Sequence, residues 1–162
     1  MHRKNRTKEI TRASIIAALY VVLTLVSAAF GLSSGVIQLR LSEALCILPV
    51  LCAEAVPGLF IGCLLANFVT AAPIWDVIFG SLATLLGAIG ARLLRRLPYL
   101  SPLPTILANA AIIPPVLIFA YGVPDAYHFL VLTISIGEIL STAAIGLPLL
   151  YIFKKRCKDL FT

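Results

Sequence analysis

Apolar residues fall into six runs along the chain, and each break carries a turn former, a basic cluster or both. The runs predict helices over about 8–30, 42–55, 57–71, 73–94, 105–121 and 129–153, an all-α bundle in one domain covering 1–162. Thr7 stands where a cap would open the first helix. Ile37 to Ser42 instead alternates apolar and polar, the period of an extended segment. The second run is short, since fourteen residues of α-helix cover about 21 Å against a hydrocarbon core of roughly 30 Å. Pro57 and Gly58 follow it, so runs two and three read as a tight helical hairpin turning near Glu54. Gly58, Gly62 and Ala66 give the third helix a smooth face, flanked by Asn67. On the fourth, Asp76, Gly80, Thr84, Gly87 and Ala91 share one stripe, which turns Asp76 toward the bundle rather than toward lipid. Pro114 and Pro115 remove two backbone donors and predict a kink in the fifth helix just above Asn109. Ser135, Glu138 and Thr142 share a face of the sixth.

Composition turns this helical pattern into a membrane protein. The 162 residues are 60% hydrophobic and 12% charged, about half the charge of a soluble domain. The net charge of +6 could suggest nucleic acid, but its placement excludes that reading. Arg3, Lys4, Arg6, Lys8 and Arg12 precede the first run, Arg92, Arg95 and Arg96 follow the fourth, and Lys154, Lys155, Arg156 and Lys158 follow the last. Six spans with both termini cytoplasmic keep 12 of the 13 Lys and Arg residues inside and leave only Arg40 outside. Five spans would export a basic cluster, whereas four spans plus a re-entrant hairpin over 42–70 fit the charges equally well. The partner of the basic flanks is the lipid bilayer, not nucleic acid. Ser27-Ala28-Ala29 imitates a signal-peptide cleavage site, but cleavage there would leave an odd number of spans.

The chemistry is confined to a few polar groups. Cys46, Cys52 and Cys63 lie in apolar runs and read as small buried residues, while Cys157 in the basic tail is a candidate for acylation. No metal-ligand spacing, nucleotide loop or hydrolase motif is present, and His2 and His128 lie outside the spans. No cofactor and no enzymatic activity are expected, so uphill transport would need an ion gradient or partner proteins. Arg40, Glu43, Asn67, Trp75 and Asp76 map to the outer half of the bundle, with Glu138 about 15 Å down its helix near mid-depth. A carboxylate within a span costs a few kcal/mol or more and is expected to be paired, protonated or functional. Two readings compete: these acids bind a polar ligand, or Arg40 forms a structural pair with Glu43 or Asp76. Glu9 and Glu54 read as solvated at the inner surface, and Asp125 as a turn residue. Ala13 and Ala17 put small residues four apart on the first helix, which suits either a partner helix or packing within the chain.

The segments Leu39-Arg-Leu-Ser-Glu-Ala-Leu45, Gly58-x-x-x-Gly62 with Asn67, and Trp75-Asp-Val-Ile-Phe-Gly-Ser-Leu-Ala-Thr-Leu-Leu86 carry a resemblance that extends over the whole chain. It resembles the substrate-binding subunits of energy-coupling factor (ECF) vitamin transporters, and among them the QueT family, associated with uptake of queuosine precursors. The resemblance implies a small-molecule binder that works with a membrane coupling subunit and two cytoplasmic ATPase subunits. It also implies that an Ala-x-x-x-Ala pair on the first helix, here Ala13 and Ala17, contacts the coupling subunit. A deazaguanine base or nucleoside would suit Glu43, Asp76 and Glu138 as acceptors. Asn67 would read a carbonyl or ring nitrogen, Trp75 would stack on the ring, and Arg40 would orient an acid or gate the mouth. The alternative is a stand-alone secondary transporter of a small polar heterocycle, although no internal repeat of the kind common in that class is visible.

Overall fold

The computed structural model describes residues 2–32 and 38–156, and the described residues contain helices and no strands. Ile37, most of the predicted turn at 31–35 and the acylation candidate Cys157 lie outside them. The elements are α1 (His2–Ala29), a 3₁₀ helix (Leu41–Val50), α2 (Ala55–Val69), a π-helical segment (Asp76–Gly80) leading into α3 (Ser81–Leu93), α4 (Pro102–Tyr121), and α5 (Tyr127–Glu138). A second π-helical segment (Ile139–Ile145) joins α5 to α6 (Gly146–Arg156). Four stretches, Arg6–Ala29, Asp76–Arg96, Pro98–Tyr121 and Tyr127–Lys155, are long and apolar enough to cross a membrane, while Leu41–Val50 and Ala55–Val69 are apolar but shorter. Large apolar side chains such as Ile15, Leu19, Leu86, Leu107 and Phe119 stay exposed on the outside of the bundle, as a lipid-facing surface requires.

The short hairpin forms the core. Every residue from Ser42 to Val50 is buried, enclosed by α1, α3 and the second π segment. Where the apolar run predicts an α-helix to residue 55, the chain forms a 3₁₀ helix that ends at Val50 and turns through 51–54. A 3₁₀ helix rises about 2.0 Å per residue, so ten residues reach about 20 Å where an α-helix would reach about 15 Å. Pro49, which has no backbone donor, lies in its last turn. Two arginines tether the far end. Arg92 donates to the Pro49 carbonyl at 3.0 Å, and Arg12 pairs with Glu54 at 3.5 Å. Glu54 is therefore a partly solvated ion-pair partner of α1 rather than a free surface carboxylate, and the hairpin tip sits level with two of the basic clusters.

Close backbone approaches fix the directions of the helices. A side chain on Gly58 would meet the Ala13 carbonyl at 2.7 Å, and one on Gly62 would meet the Ala17 backbone at 3.0 Å, so α1 and α2 run parallel. Gly137 lies against the Gln38 carbonyl and Gly146 against that of Ala44, so the 3₁₀ helix runs parallel to α5 and α6. The predicted small-residue stripe on α3 is buried at Gly80, Thr84, Gly87 and Ala91. Thr7 is not a cap, because α1 already extends from His2 and the Thr11 hydroxyl bonds the Thr7 carbonyl at 2.8 Å within it. The fifth predicted helix begins earlier than expected, at Pro102, and continues through Pro114 and Pro115 to Gly122, whose left-handed conformation (φ 62°) ends it.

Candidate functional site

Glu43 enters the interior on the 3₁₀ helix and is 2% exposed. Its carboxylate is held from two sides: Tyr20 of α1 donates its phenol to Oε1, and Cys46, three residues on, donates its thiol to Oε2 at 3.1 Å. Further up α1, the Thr24 hydroxyl bonds Ser42 Oγ at 2.9 Å, and Ser27 Oγ accepts the Leu41 backbone N–H at 2.9 Å. Ser27, part of the apparent cleavage site, thus anchors the start of the 3₁₀ helix. On the other side, the backbone at Gln38 lies directly on Gly137. The strap from Gln38 to Leu41 is pinned between α1 and α5, with Arg40 in extended backbone conformation (φ −103°, ψ 107°).

The other two acids sit at irregular turns. Asp76 opens the first π segment, and Glu138 immediately precedes the second. A π turn disrupts regular helical bonding and is common at functional sites. Here neighbouring side chains take up backbone acceptors: Asn67 Nδ2 donates to the Asp76 carbonyl at 3.1 Å, Thr84 to that of Gly80 at 3.0 Å, and Thr142 to that of Glu138 at 2.6 Å. The carboxyl Oε2 of Glu138 is buried without a hydrogen-bond partner.

These residues converge on one cavity of about 70 Å³. Arg40, Glu43, Asp76 and Glu138 all line it, together with Gln38, Asn109 and the apolar residues Ile113, Leu117 and Ile134. Among the described residues the one ion pair is Arg12–Glu54, so the structural Arg40–Glu43 and Arg40–Asp76 pairs weighed from the sequence do not form. Asn67 and Trp75 lie outside the lining. Asn67 is 2% exposed and braces the Asp76 turn from behind. Trp75 is 46% exposed, stacks on Phe79 with ring centroids 6.0 Å apart, and lines an apolar groove between α3 and α4. Ala13 and Ala17 pack on Gly58 and Gly62, and they also floor a groove of about 570 Å³ edged by Ser14, Ala18, Ile61 and Leu65.

Tyr20 and Asn109 are the neighbours that pattern reading left unassigned. Tyr20 is three residues beyond Ala17 on the same face of α1, and that register was its available signal.

An apolar helical bundle that gathers a guanidinium and three carboxyl groups, one buried and the others half-buried, around one cavity, with no catalytic constellation among the described residues, has the makings of a membrane carrier of small polar molecules. The family described as QueT transporter matches residues 10–155, and the chain belongs to that family. It is a transporter family, not an enzyme family, and the chain is a multi-pass protein of the bacterial plasma membrane. A protein of Lactococcus lactis subsp. cremoris (strain MG1363), described as queuosine precursor transporter QueT, is 37% identical over 83 residues, 51% of this chain and 48% of that protein. The matched region thus spans about half the length of this curated relative. No solved structure matches the chain.

Proposed function

We propose that this chain captures a queuosine precursor, a deazaguanine base or its nucleoside, in the cavity between the 3₁₀ helix, the first π segment, α4 and α5. The observation that carries the reading is the convergence of Arg40, Glu43, Asp76 and Glu138 on one pocket in an otherwise apolar bundle. Keeping four ionisable groups half-buried or buried inside a membrane bundle is costly, and function is the common reason to retain them. A deazaguanine presents ring and exocyclic N–H donors, for which carboxylates are strong acceptors. Asn67 serves by fixing the Asp76 turn, and Trp75 by anchoring the outer interface, where tryptophan is enriched.

The cavity faces outward. Six passes of alternating direction, two of them short, bring both chain ends to the cytoplasmic side with 12 of the 13 Lys and Arg residues. The parallel pairings of α1 with α2 and of the 3₁₀ helix with α5 and α6 support that alternation. Arg40 alone lies on the outer side, at the mouth.

The chain works as the substrate-binding subunit of an ECF-type importer, with a membrane coupling subunit and two cytoplasmic ATPase subunits supplying the energy. Ala13 and Ala17 lie at the floor of an apolar groove on α1 and α2, and small residues at this spacing let a partner helix approach closely.

Mass spectrometry of small molecules released from the purified chain tests the ligand class, and a deazaguanine is the expected species. Labelling of Gln38→Cys in a Cys157→Ser background, in intact cells with a membrane-impermeant maleimide, tests the sidedness, since Gln38 is exposed and Cys46, Cys52 and Cys63 are buried. Labelling from outside is expected, and reaction only after lysis would invert the orientation.

A further inference from the structure

We infer that the apolar groove between α3 and α4 is a lipid site, which holds one acyl chain of a phospholipid against Trp75 and the first π segment. The groove measures about 680 Å³ and opens on the outside of the bundle. Leu86 and Phe119, two of the exposed side chains of the lipid-facing surface, belong to its lining, so the groove is continuous with that surface. The proposed orientation makes the surrounding leaflet the outer one, and the site itself does not depend on that orientation.

Size and lining select the occupant. From Trp75 to Leu86 the groove follows about 16 Å of helix axis, close to the roughly 15 Å that one leaflet contributes to a hydrocarbon core of about 30 Å. Small residues, Ala111 and Ala120, leave the space open, and Trp75, Phe79, Leu82 and Phe119 bound it. A partner helix, about 10–12 Å across, packs closely over small residues, as on the Ala13–Ala17 face, and the bulky rim here holds it off. A second copy of this chain would meet the same obstacle. A single acyl chain is thin enough to enter, and the lining offers it apolar contacts along its length. At the mouth, the indole N–H of Trp75 is a donor at the depth where tryptophan meets the headgroup region.

The groove also shares its walls with the polar cavity. Trp75 and Phe79 line the groove, while Asp76 and Gly80 line the cavity. On α4, Ile112 and Val116 line the groove, while Ile113 and Leu117 line the cavity. A chain seated in the groove therefore packs against the outer face of the turn that presents Asp76. Trp75 and Phe79, stacked with centroids 6.0 Å apart, give it a broad aromatic face. The lipid is thus a structural ligand of the π segment, a role separate from that of any transported molecule.

Trp75 is the one tryptophan in the sequence and so reports on its own groove. The purified chain is reconstituted in dibrominated phosphatidylcholine and re-extracted into excess detergent to strip the surrounding lipid. Native mass spectrometry and tryptophan fluorescence are then measured, since bromine quenches an indole only at contact range. One retained phospholipid per chain is expected, with Trp75 emission quenched relative to protein taken through unbrominated lipid. Ala111→Phe fills the groove and should lose both signals, whereas Leu19→Phe, on the lipid-facing side of α1, should keep both. No retained lipid, retention with unquenched emission, or undiminished retention and quenching in Ala111→Phe would overturn the lipid site. Paired chains without lipid would overturn it too, by giving the groove to a second copy.

Discussion

Tyr20 and Glu43 are joined across the interface between α1 and the 3₁₀ helix, the phenol of one donating to the carboxylate of the other. The same tyrosine sets its Cβ carbon where a side chain on Gly62 would come within 2.8 Å. One residue therefore touches both the α1–α2 seam and an acid of the cavity. Tyr20→Phe keeps the ring and removes the donor. It is expected to cost about 1–3 kcal/mol of stability, because a buried carboxylate loses a partner. Affinity should fall as Glu43 loses its fixed orientation. Thermal unfolding and ligand titration of the purified variant measure the two effects.

Gly137 seats the strap. A methyl group there would collide with the Gln38 carbonyl, a backbone atom that can yield only by moving the whole segment. Gly137→Ala is expected to displace Gln38 to Leu41 and weaken ligand binding strongly, with the overpacking costing about 1–3 kcal/mol. The helix content read by circular dichroism should change little.

The two arginine tethers of the hairpin tip differ in value. Arg92 reaches the Pro49 carbonyl at 3.0 Å, and Arg92→Ala would leave that part-buried acceptor without its donor. A loss of about 1–2 kcal/mol is expected. Arg12 and Glu54 are partly solvated, at 27% and 19% exposure, so Glu54→Gln should cost less than about 1 kcal/mol. Thermal melting of the two variants side by side checks the order.

The groove between α1 and α2 makes a separate prediction. Ala18 is exposed at its edge, away from the Gly58–Gly62 seam. Ala18→Trp should leave ligand binding by the isolated chain unchanged while abolishing uptake in cells. Uptake at the normal rate would remove this groove as the docking surface for the coupling subunit.

Much of the site was legible because charge is conspicuous in an apolar chain. Glu43, Asp76 and Glu138 interrupt apolar runs, and helical spacing alone turned Asp76 and Glu138 inward. Arg40 stood out as the one basic residue outside the basic clusters. What stayed hidden depended on contacts between elements. Tyr20 and Cys46 look like ordinary members of apolar runs until tertiary packing brings Glu43 between them. Asn67 and Trp75 have suitable chemistry, but a difference of a few residues in helical phase sets one behind the Asp76 turn and the other facing lipid. The 3₁₀ form of Leu41–Val50 could not be read from periodicity, because a segment buried on every side shows no amphipathic phase. Pro49 was its one local sign.

The central claim is that the cavity bounded by Arg40, Glu43, Asp76 and Glu138 is the ligand site. Calorimetric titration of the purified chain with a deazaguanine base tests it most directly, with Asp76→Asn and Glu138→Gln measured beside the remote control Glu54→Gln. The account predicts that each cavity variant loses about tenfold or more in affinity, the scale of one charge-assisted hydrogen bond, while the control binds like the unaltered protein. Unchanged affinity in both cavity variants, with binding by the unaltered chain intact, would contradict it.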